Sequence, residues 1–291
     1  MINITAPAKI NLTLEVLGKR SDGFHEIRSV MQTIGLCDRL SFQAGDTLEF
    51  KSNSPGWVAE KSLVAKTASL LQETTKCSRG AVITVEKHIP LAGGLGGDSS
   101  DAAATLRGLN QLWELGLPKK KLLELAFKSG SDVAFFLEGG TALAEGRGEI
   151  VTPLPPLPRM WVVLVIPDIP RLPEKTRQLY ERLKVSHYTH GQITRQMAAK
   201  LREGGGLPVN LLFNTFEKVA FTAFPVLSDY RELILKAGAS QVHLAGSGPT
   251  VFTLHKDKAQ AEKVYRRLNE QKIECYLAGT FTPVKFADVV I

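Results

Sequence analysis

At the start of the chain apolar and polar positions alternate. Ile2 and Ile4, then Ile10, Leu12, Leu14 and Val16, recur at every second place, the period of a strand with one buried face. The same alternation returns over 40–50 around the turn pair Gly45-Asp46. The period then lengthens: Leu63, Ala65, Lys66, Leu70 and Leu71 suit a helix over 62–71, and 81–85 reads as a short strand. From Ser99 the pattern is helical, with Ala102, Ala103, Leu106, Leu109, Leu112 and Trp113 on one stripe and Gly116 and Pro118 ending it. A second helix follows Pro118 and stops near Gly130. A third starts at Ser131-Asp132 and carries Val133, Phe135, Phe136 and Leu137.

Residues 152–158 hold four prolines, which neither a helix interior nor a central strand accepts. This stretch predicts a domain connection, dividing the chain into 1–155 and 156–291. A buried strand over 161–166 opens the second half. Helices near 174–184, 192–203, 214–222, 226–237 and 258–271 then alternate with strands near 242–245, 250–254 and 273–278, an α+β layering of helices on a sheet. No internal repeat or low-complexity tract interrupts it.

Composition narrows the class. Of 291 residues, 44% are hydrophobic and 22% charged, a globular balance. The longest strongly apolar run, 160–166, is far short of a membrane span, and no targeting leader opens the sequence. Cys37, Cys77 and Cys275 are odd in number and widely spaced, which fits a reducing cytoplasm better than a disulfide framework. The net charge of +7 fits either a soluble surface with surplus Lys and Arg or a preference for anions, phosphorylated small molecules or nucleic acid. The densest basic cluster, 119–121, lies on an expected exposed first turn of a helix without interleaved aromatic residues, so it reads as a solvated face rather than a stacking surface.

Three segments carry chemistry. In 90–100, Pro90-Leu91-Ala92-Gly93-Gly94-Leu95-Gly96-Gly97-Asp98-Ser99-Ser100, four glycines in five positions let backbone N–H groups converge on one point. The helix that follows adds its free N–H groups and the positive end of its dipole, making a phosphate cradle. A Walker loop is excluded because Lys then Ser or Thr does not follow the last glycine. A dinucleotide fingerprint is excluded because Ser99 stands where Gly or Ala is required. Taken alone, such a stretch is more often only a turn. Lys9 and Asn11 alternate with Ile10 and Leu12 and so share a strand face, which for a lone lysine is ordinarily just an exposed one. Asp132 stands at the start of a helix with almost wholly apolar flanks. A helix cap is the plainer reading of it. A fourth stretch, 244–252, places a tight Gly-Ser-Gly-Pro turn before a strand.

Together these segments resemble the GHMP kinase superfamily of small-molecule kinases. Three of its motifs occur in order: Pro7-Ala8-Lys9-Ile10-Asn11-Leu12, the 90–100 loop, and Ala245-Gly246-Ser247-Gly248-Pro249. Further likeness in Arg20-Ser21-Asp22-Gly23-Phe24-His25-Glu26, Asp132-Val133-Ala134-Phe135-Phe136-Leu137 and 139–149 is to the branch that phosphorylates a cytidylylated methylerythritol alcohol on the non-mevalonate route to isoprenoids. The resemblance covers nearly the whole chain and is weakest over 185–210.

The resemblance implies a two-domain α+β fold, with a ribosomal-protein-like N-terminal domain, a ferredoxin-like C-terminal domain and the active site in the cleft between them. It implies Lys9 and Asp132 as the catalytic pair, with Asp132 accepting the proton of the substrate 2-hydroxyl and Lys9 holding Asp132 ionised. Lys87 and Pro90, Leu91, Ala92, Gly93, Gly94, Leu95, Gly96, Gly97, Asp98, Ser99 and Ser100 are implied around ATP, with Lys87 near the adenine. Asn11, Phe24, His25, Thr176 and Tyr180 are implied around the acceptor, the rings and His25 at the cytosine. ATP as co-substrate and Mg²⁺ follow, with ligands of the ion unspecified. So do a small-molecule acceptor, no nucleic acid or membrane partner, and a monomer or weak homodimer. Three departures stand out: Asp98 replaces a frequent glycine, Ser62 replaces a frequent asparagine at the adenine, and Phe24 replaces a frequent tyrosine. A homoserine- or mevalonate-type kinase is the alternative within the fold. An RNA-binding module is the alternative outside it, supported only by charge and by analogy of fold.

Overall fold

The alternating start of the chain forms one unbroken strand, β1 (Ile2–Lys19), and a second long strand follows it, β2 (His25–Gly45). Most of β2 escapes the apolar pattern because Ser29, Gln32, Thr33 and Asp38 are buried along with its Val, Met and Ile residues. The computed structural model describes residues 1–170 and 174–281. The chain builds two units that it visits in turn. The first holds Met1–Ala8, Leu36–Leu91 and Gly96–Glu138; the second holds Lys9–Gly35, Ala92–Leu95 and the chain from Gly139 onward.

In the first unit the end of β2 pairs antiparallel with β4 (Gly80–Glu86), and β3 (Leu48–Ser52) pairs parallel with β4. The Gly45-Asp46 turn therefore does not join two partners: β4 separates β2 from β3. A parallel β3–β4 pair needs a crossover, and α1 (Leu63–Thr75) supplies it. Ser62 caps α1 by accepting the Ala65 N–H at 3.2 Å, and Lys76 ends it in the left-handed region. Three more helices follow: α2 (Gly97–Leu112), α3 (Lys119–Ser129) and α4 (Val133–Glu138). α2 packs on α1, α3 and α4. Its predicted stripe is buried at Ala102, Ala103, Leu106 and Leu109. A Cβ on Gly108 would stand 2.4 Å from the buried Phe42 ring, so only glycine allows α2 this approach to β2. The 119–121 lysines occupy the first turn of α3 as expected, with Lys119 and Lys120 exposed.

In the second unit the start of β2 pairs antiparallel with β5 (Thr141–Gly146), and β5 with β6 (Ile150–Pro153). Pro153 is tolerated because β6 is an edge strand. β1 pairs parallel with the short β8 (Phe213–Asn214). A separate antiparallel sheet holds β7 (Trp161–Val165), β9 (His243–Leu244), β10 (Val251–His255) and β11 (Cys275–Gly279) in the order β11-β7-β10-β9. Val162 to Val165 are wholly buried, as the apolar run predicts. Among the described residues five α-helices join this unit: α5 (Lys175–Arg182), α6 (Gln192–Arg202), α7 (Glu217–Ala223), α8 (Val226–Lys236) and α9 (Lys258–Glu270). α9 packs on β7, β10 and β11, and one core runs from Leu14 and Val16 through Phe216 to Leu268. The helix expected from 214 begins only at Glu217, because Phe213 and Asn214 are taken up by pairing with β1. Among the described residues no helix is long and apolar enough to cross a membrane.

Candidate active site

The glycine-rich stretch alternates in hand. Ala92, Gly94 and Gly96 take left-handed φ values of 59°, 84° and 75°. A Cβ at Gly94 would meet the Ala245 carbonyl oxygen at 2.2 Å, so this close backbone approach requires glycine. The Thr250 N–H donates to the Gly93 carbonyl at 3.3 Å, and the Lys9 N–H donates to that of Leu95 at 2.9 Å. Gly96 is the N-cap of α2. In the first turn that follows, Asp98 is exposed, whereas Ser100 is buried and its hydroxyl has no hydrogen-bond partner among the described residues. The predicted helix start at Ser99 thus moves back to Gly97, leaving both serines inside the first turn.

Beside this turn lies a buried charge group that the sequence did not reveal. The Lys87 ammonium sits between Asp38 of β2 and Asp101 of α2, 2.7 Å from Asp101 and 3.9 Å from the exposed Asp98. Asp38 also accepts the backbone N–H groups of His88 and Ile89 at 2.5 and 2.8 Å. Burial pushes the Asp101 carboxyl up to about 8, with Lys87 opposing the rise and Asp38 adding to it. Burial alone would lower Lys87, but Asp101 and Asp38 outweigh it and hold its pKa raised. Lys87, expected beside adenine, has its ammonium enclosed by these carboxylates. Ser62 is likewise engaged, donating to the Ala59 carbonyl at 2.7 Å while capping α1. Asp132 stands half-buried between the end of α3 and Val133 of α4, with the buried Phe135 and Phe136 behind it.

In the second unit Lys9 and Asn11 share a strand face, as their spacing predicts. The Lys9 ammonium, almost wholly buried, donates to the Asn11 carbonyl at 2.7 Å. The Asn11 amide donates to the Ser29 hydroxyl at 2.8 Å, which donates on to the Thr13 carbonyl at 2.6 Å, so Asn11 is held from behind. The Gly-Ser-Gly-Pro turn closes over this corner. A Cβ on Gly246 would lie 3.3 Å from the Lys9 ammonium, and Asn214 pins the turn by donating to the Leu244 and Gly246 carbonyls at 2.9 and 2.7 Å.

From α5, the Thr176 hydroxyl meets that of Ser247 at 2.8 Å, and the Lys175 ammonium reaches the Ala92 carbonyl at 3.4 Å. One turn later Tyr180 stacks on His25, with ring centroids 4.5 Å apart. Tyr188 adds its edge to His25, and Phe216 its edge to Tyr180. Burial and then Lys19 lower the His25 pKa, favouring the neutral ring. Phe24 is 52% exposed and lies under the Arg147 guanidinium at 4.6 Å.

Of the residues singled out from the sequence, Lys9, Asn11, Phe24, His25, Thr176, Tyr180 and 92–95 belong to the second unit. Lys87, Pro90, Leu91, 96–100 and Asp132 belong to the first. Ser29, Asp38, Asp101, Lys175 and Tyr188 were missed. Asp101, three places after Asp98 on the inner side of the α2 first turn, had a legible spacing; the others had none.

A family model for the GHMP kinases N terminal domain matches residues 62–140, and one for the GHMP kinases C terminal part matches 197–274. The chain is similar to the 4-diphosphocytidyl-2-C-methyl-D-erythritol kinase of Dehalococcoides mccartyi, with 50% identity over 284 residues that cover 98% of this chain and 100% of the relative. It is 43% identical over 272 residues to the kinase of the same name from Geobacillus kaustophilus, covering 92% of each. A crystal structure of 4-(cytidine 5'-diphospho)-2C-methyl-D-erythritol kinase superposes with a TM-score of 0.81 at 30% identity, over 97% of this chain and 100% of its own. The glycine loop, the helix start behind it and the two long matched segments therefore have one source: the chain belongs to the GHMP kinase family, in the branch of the 4-diphosphocytidyl-2-C-methyl-D-erythritol kinases.

Proposed function

We propose that this kinase transfers the terminal phosphoryl group of ATP to the 2-hydroxyl of 4-diphosphocytidyl-2-C-methyl-D-erythritol, a step of non-mevalonate isoprenoid precursor synthesis. The observation that carries the choice of acceptor is the aromatic group of the second unit. Tyr180 and Tyr188 each pack on His25, with Thr176 one turn from Tyr180 and Phe24 exposed beside Arg147. Such rings suit a nucleobase, whereas a small aliphatic alcohol needs none.

Phosphoryl transfer relies on positioning and charge neutralisation more than on covalent help. The loop 90–100 offers backbone N–H groups and the start of α2 to the triphosphate. Asp132 accepts the proton of the attacking hydroxyl, and the Lys9 ammonium, oriented by Asn11, balances charge on the transferring group. Mg²⁺ fits the residues present: the unpartnered Ser100 hydroxyl and the exposed Asp98 carboxylate are the hard oxygen donors it prefers. When bound, the ion neutralises phosphate charge. His25, neutral and stacked, with Nε2 facing the Tyr188 hydroxyl at 3.4 Å, offers its other ring nitrogen to the edge of a cytosine, and Thr176 offers a hydroxyl. No nucleic acid is needed for this chemistry, and a monomer or weak homodimer in the cytoplasm is sufficient for it.

The test is ATP consumption measured in parallel with the cytidylylated methylerythritol alcohol, homoserine and mevalonate. Turnover with the first alone is expected; turnover only with homoserine or mevalonate overturns the acceptor and leaves a kinase. Asp132→Ala is expected to lower kcat by about a hundredfold or more. Activity surviving within a few-fold would remove Asp132 from the role of base.

A further inference from the structure

Lys175 opens α5 half-buried, and the acceptor its ammonium reaches is a single backbone carbonyl, that of Ala92, at 3.4 Å. That distance is at the long limit of a hydrogen bond. Among the described residues no carboxylate faces it. Glu174, next to it in the chain, is paired with Arg177 at 3.1 Å. The charged group that acts on Lys175 from another element is Lys9 of β1, a like charge. Burial first, and Lys9 second, push the Lys175 ammonium down to about 8.

A partly desolvated ammonium that no carboxylate faces among the described residues, as at Lys175, is an unfavourable arrangement unless an anion joins it. The surroundings are built for one. Ala92 stands in the left-handed region within the glycine stretch, so its carbonyl marks the loop. Ser247, on the turn that closes over Lys9, presents its hydroxyl to Thr176, the residue after Lys175. Loop, turn and two ammonium groups thus meet within the second unit.

We propose that Lys175 is a second phosphate-binding cation of this site, acting with Lys9 on a polyphosphate bound at the 92–95 arm of the glycine loop. The proposal rests on the kinase reading above and deepens it. The polyphosphate has two possible sources, the triphosphate of ATP and the diphosphate of the acceptor, and both are met by the same chemistry.

Steady-state kinetics of Lys175→Met and Lys175→Arg, varying ATP and acceptor in turn at excess Mg²⁺, test it. Lys175→Met is expected to lose about 30-fold in kcat/KM for one substrate, the loss of a charged hydrogen bond, and Lys175→Arg to recover most of it. A raised KM for ATP assigns the triphosphate; a raised KM for the acceptor assigns its diphosphate. In the wild type, kcat/KM for that substrate is expected to fall as pH rises through about 8, and the fall to move to higher pH in Lys175→Arg. Retention of both kcat/KM values within about threefold by Lys175→Met, with an unmoved pH profile, overturns the proposal. If the wild type does not turn over the cytidylylated alcohol at all, the acceptor assignment is what fails. Calorimetry with a non-hydrolysable ATP analogue and with the acceptor alone then decides on Lys175: weaker binding of either by Lys175→Met supports it, and equal binding of both overturns it.

Discussion

The protein sets two lysines on either arm of its glycine stretch, Lys87 enclosed and Lys175 half-buried, and treats them oppositely. In the first unit Lys87 lies between Asp38 and Asp101, and its neighbours complete its charge. In the second unit Lys175 has a carbonyl at 3.4 Å and another lysine as its charged neighbour. The first arrangement is closed: removing the lysine leaves two buried carboxyl groups without their cation. The second is open: among the described residues no carboxylate faces the Lys175 ammonium. A closed charge group contributes to folding and an open one to binding, and the two are separable by experiment although both residues are lysines beside one loop.

Lys87→Met breaks the comparison most severely. It strands Asp38 and Asp101 without their cation, and breaking a buried pair in this way costs roughly 3–5 kcal/mol. Chemical denaturation is expected to show that loss, with activity falling because the fold does. Lys175→Met is expected to unfold at the same temperature as wild type or slightly higher, since at neutral pH it removes a partly desolvated charge that no carboxylate among the described residues faces. A stabilisation of wild type by added ATP analogue that shrinks in Lys175→Met sharpens the contrast further. Equal destabilisation by the two variants would erase it.

The pH dependence of stability separates the units next. Asp101 has a folded pKa of about 8, above its ordinary value of 3.8, so the folded state holds a proton that the unfolded state has released between those limits. Its contribution is therefore fully present below about pH 4 and is lost as pH rises through about 8. Lys175 acts in a different window. Its folded pKa of about 8 lies below the ordinary 10.5, so the folded state holds fewer protons there and stability from this group rises with pH between the two values. Melting temperatures recorded from pH 4 to 10 are expected to decline less steeply below pH 8 in Asp101→Asn than in wild type. The rise above pH 8 is expected to disappear in Lys175→Met.

How much of this was legible depended on whether the chemistry lay along the chain or across it. The Lys9–Asn11 pair was readable because a strand period of two puts both on one face, and the 2.7 Å bond between them is the outcome. Asp132 was readable as a polar residue in an apolar frame, and the glycines of 92–97 as a backbone requirement that Gly94, pressed on Ala245, satisfies. The start of β2 was hidden because its polar residues are buried and hydrogen-bonded, which defeats a pattern based on polarity. β4 between β2 and β3 was hidden because alternation assigns a face and never a partner. The Lys87 group joins positions 38, 87 and 101, and the Lys175 surroundings join 9, 92 and 175. No local spacing encodes either, so each becomes visible only when the fold supplies the distances.

Two serines carry the same contrast at its smallest scale. Ser62 belongs to the closed class: its hydroxyl donates to Ala59 and accepts from Ala65, capping α1. Ser62→Ala is expected to cost about 1 kcal/mol of stability, the usual worth of an N-cap, and to leave KM for ATP within about twofold. Ser100 belongs to the open class, because its buried hydroxyl has no partner among the described residues. Alanine there removes a desolvated polar group at no loss of a protein hydrogen bond, so stability is expected to hold or rise slightly. Activity is expected to fall about tenfold or more through the lost contact to phosphate or Mg²⁺. Thermal melts and initial rates on the two variants check both halves. A Ser62→Ala enzyme that keeps its melting temperature but loses affinity for ATP would move Ser62 into the binding class and restore the adenine contact expected from the resemblance.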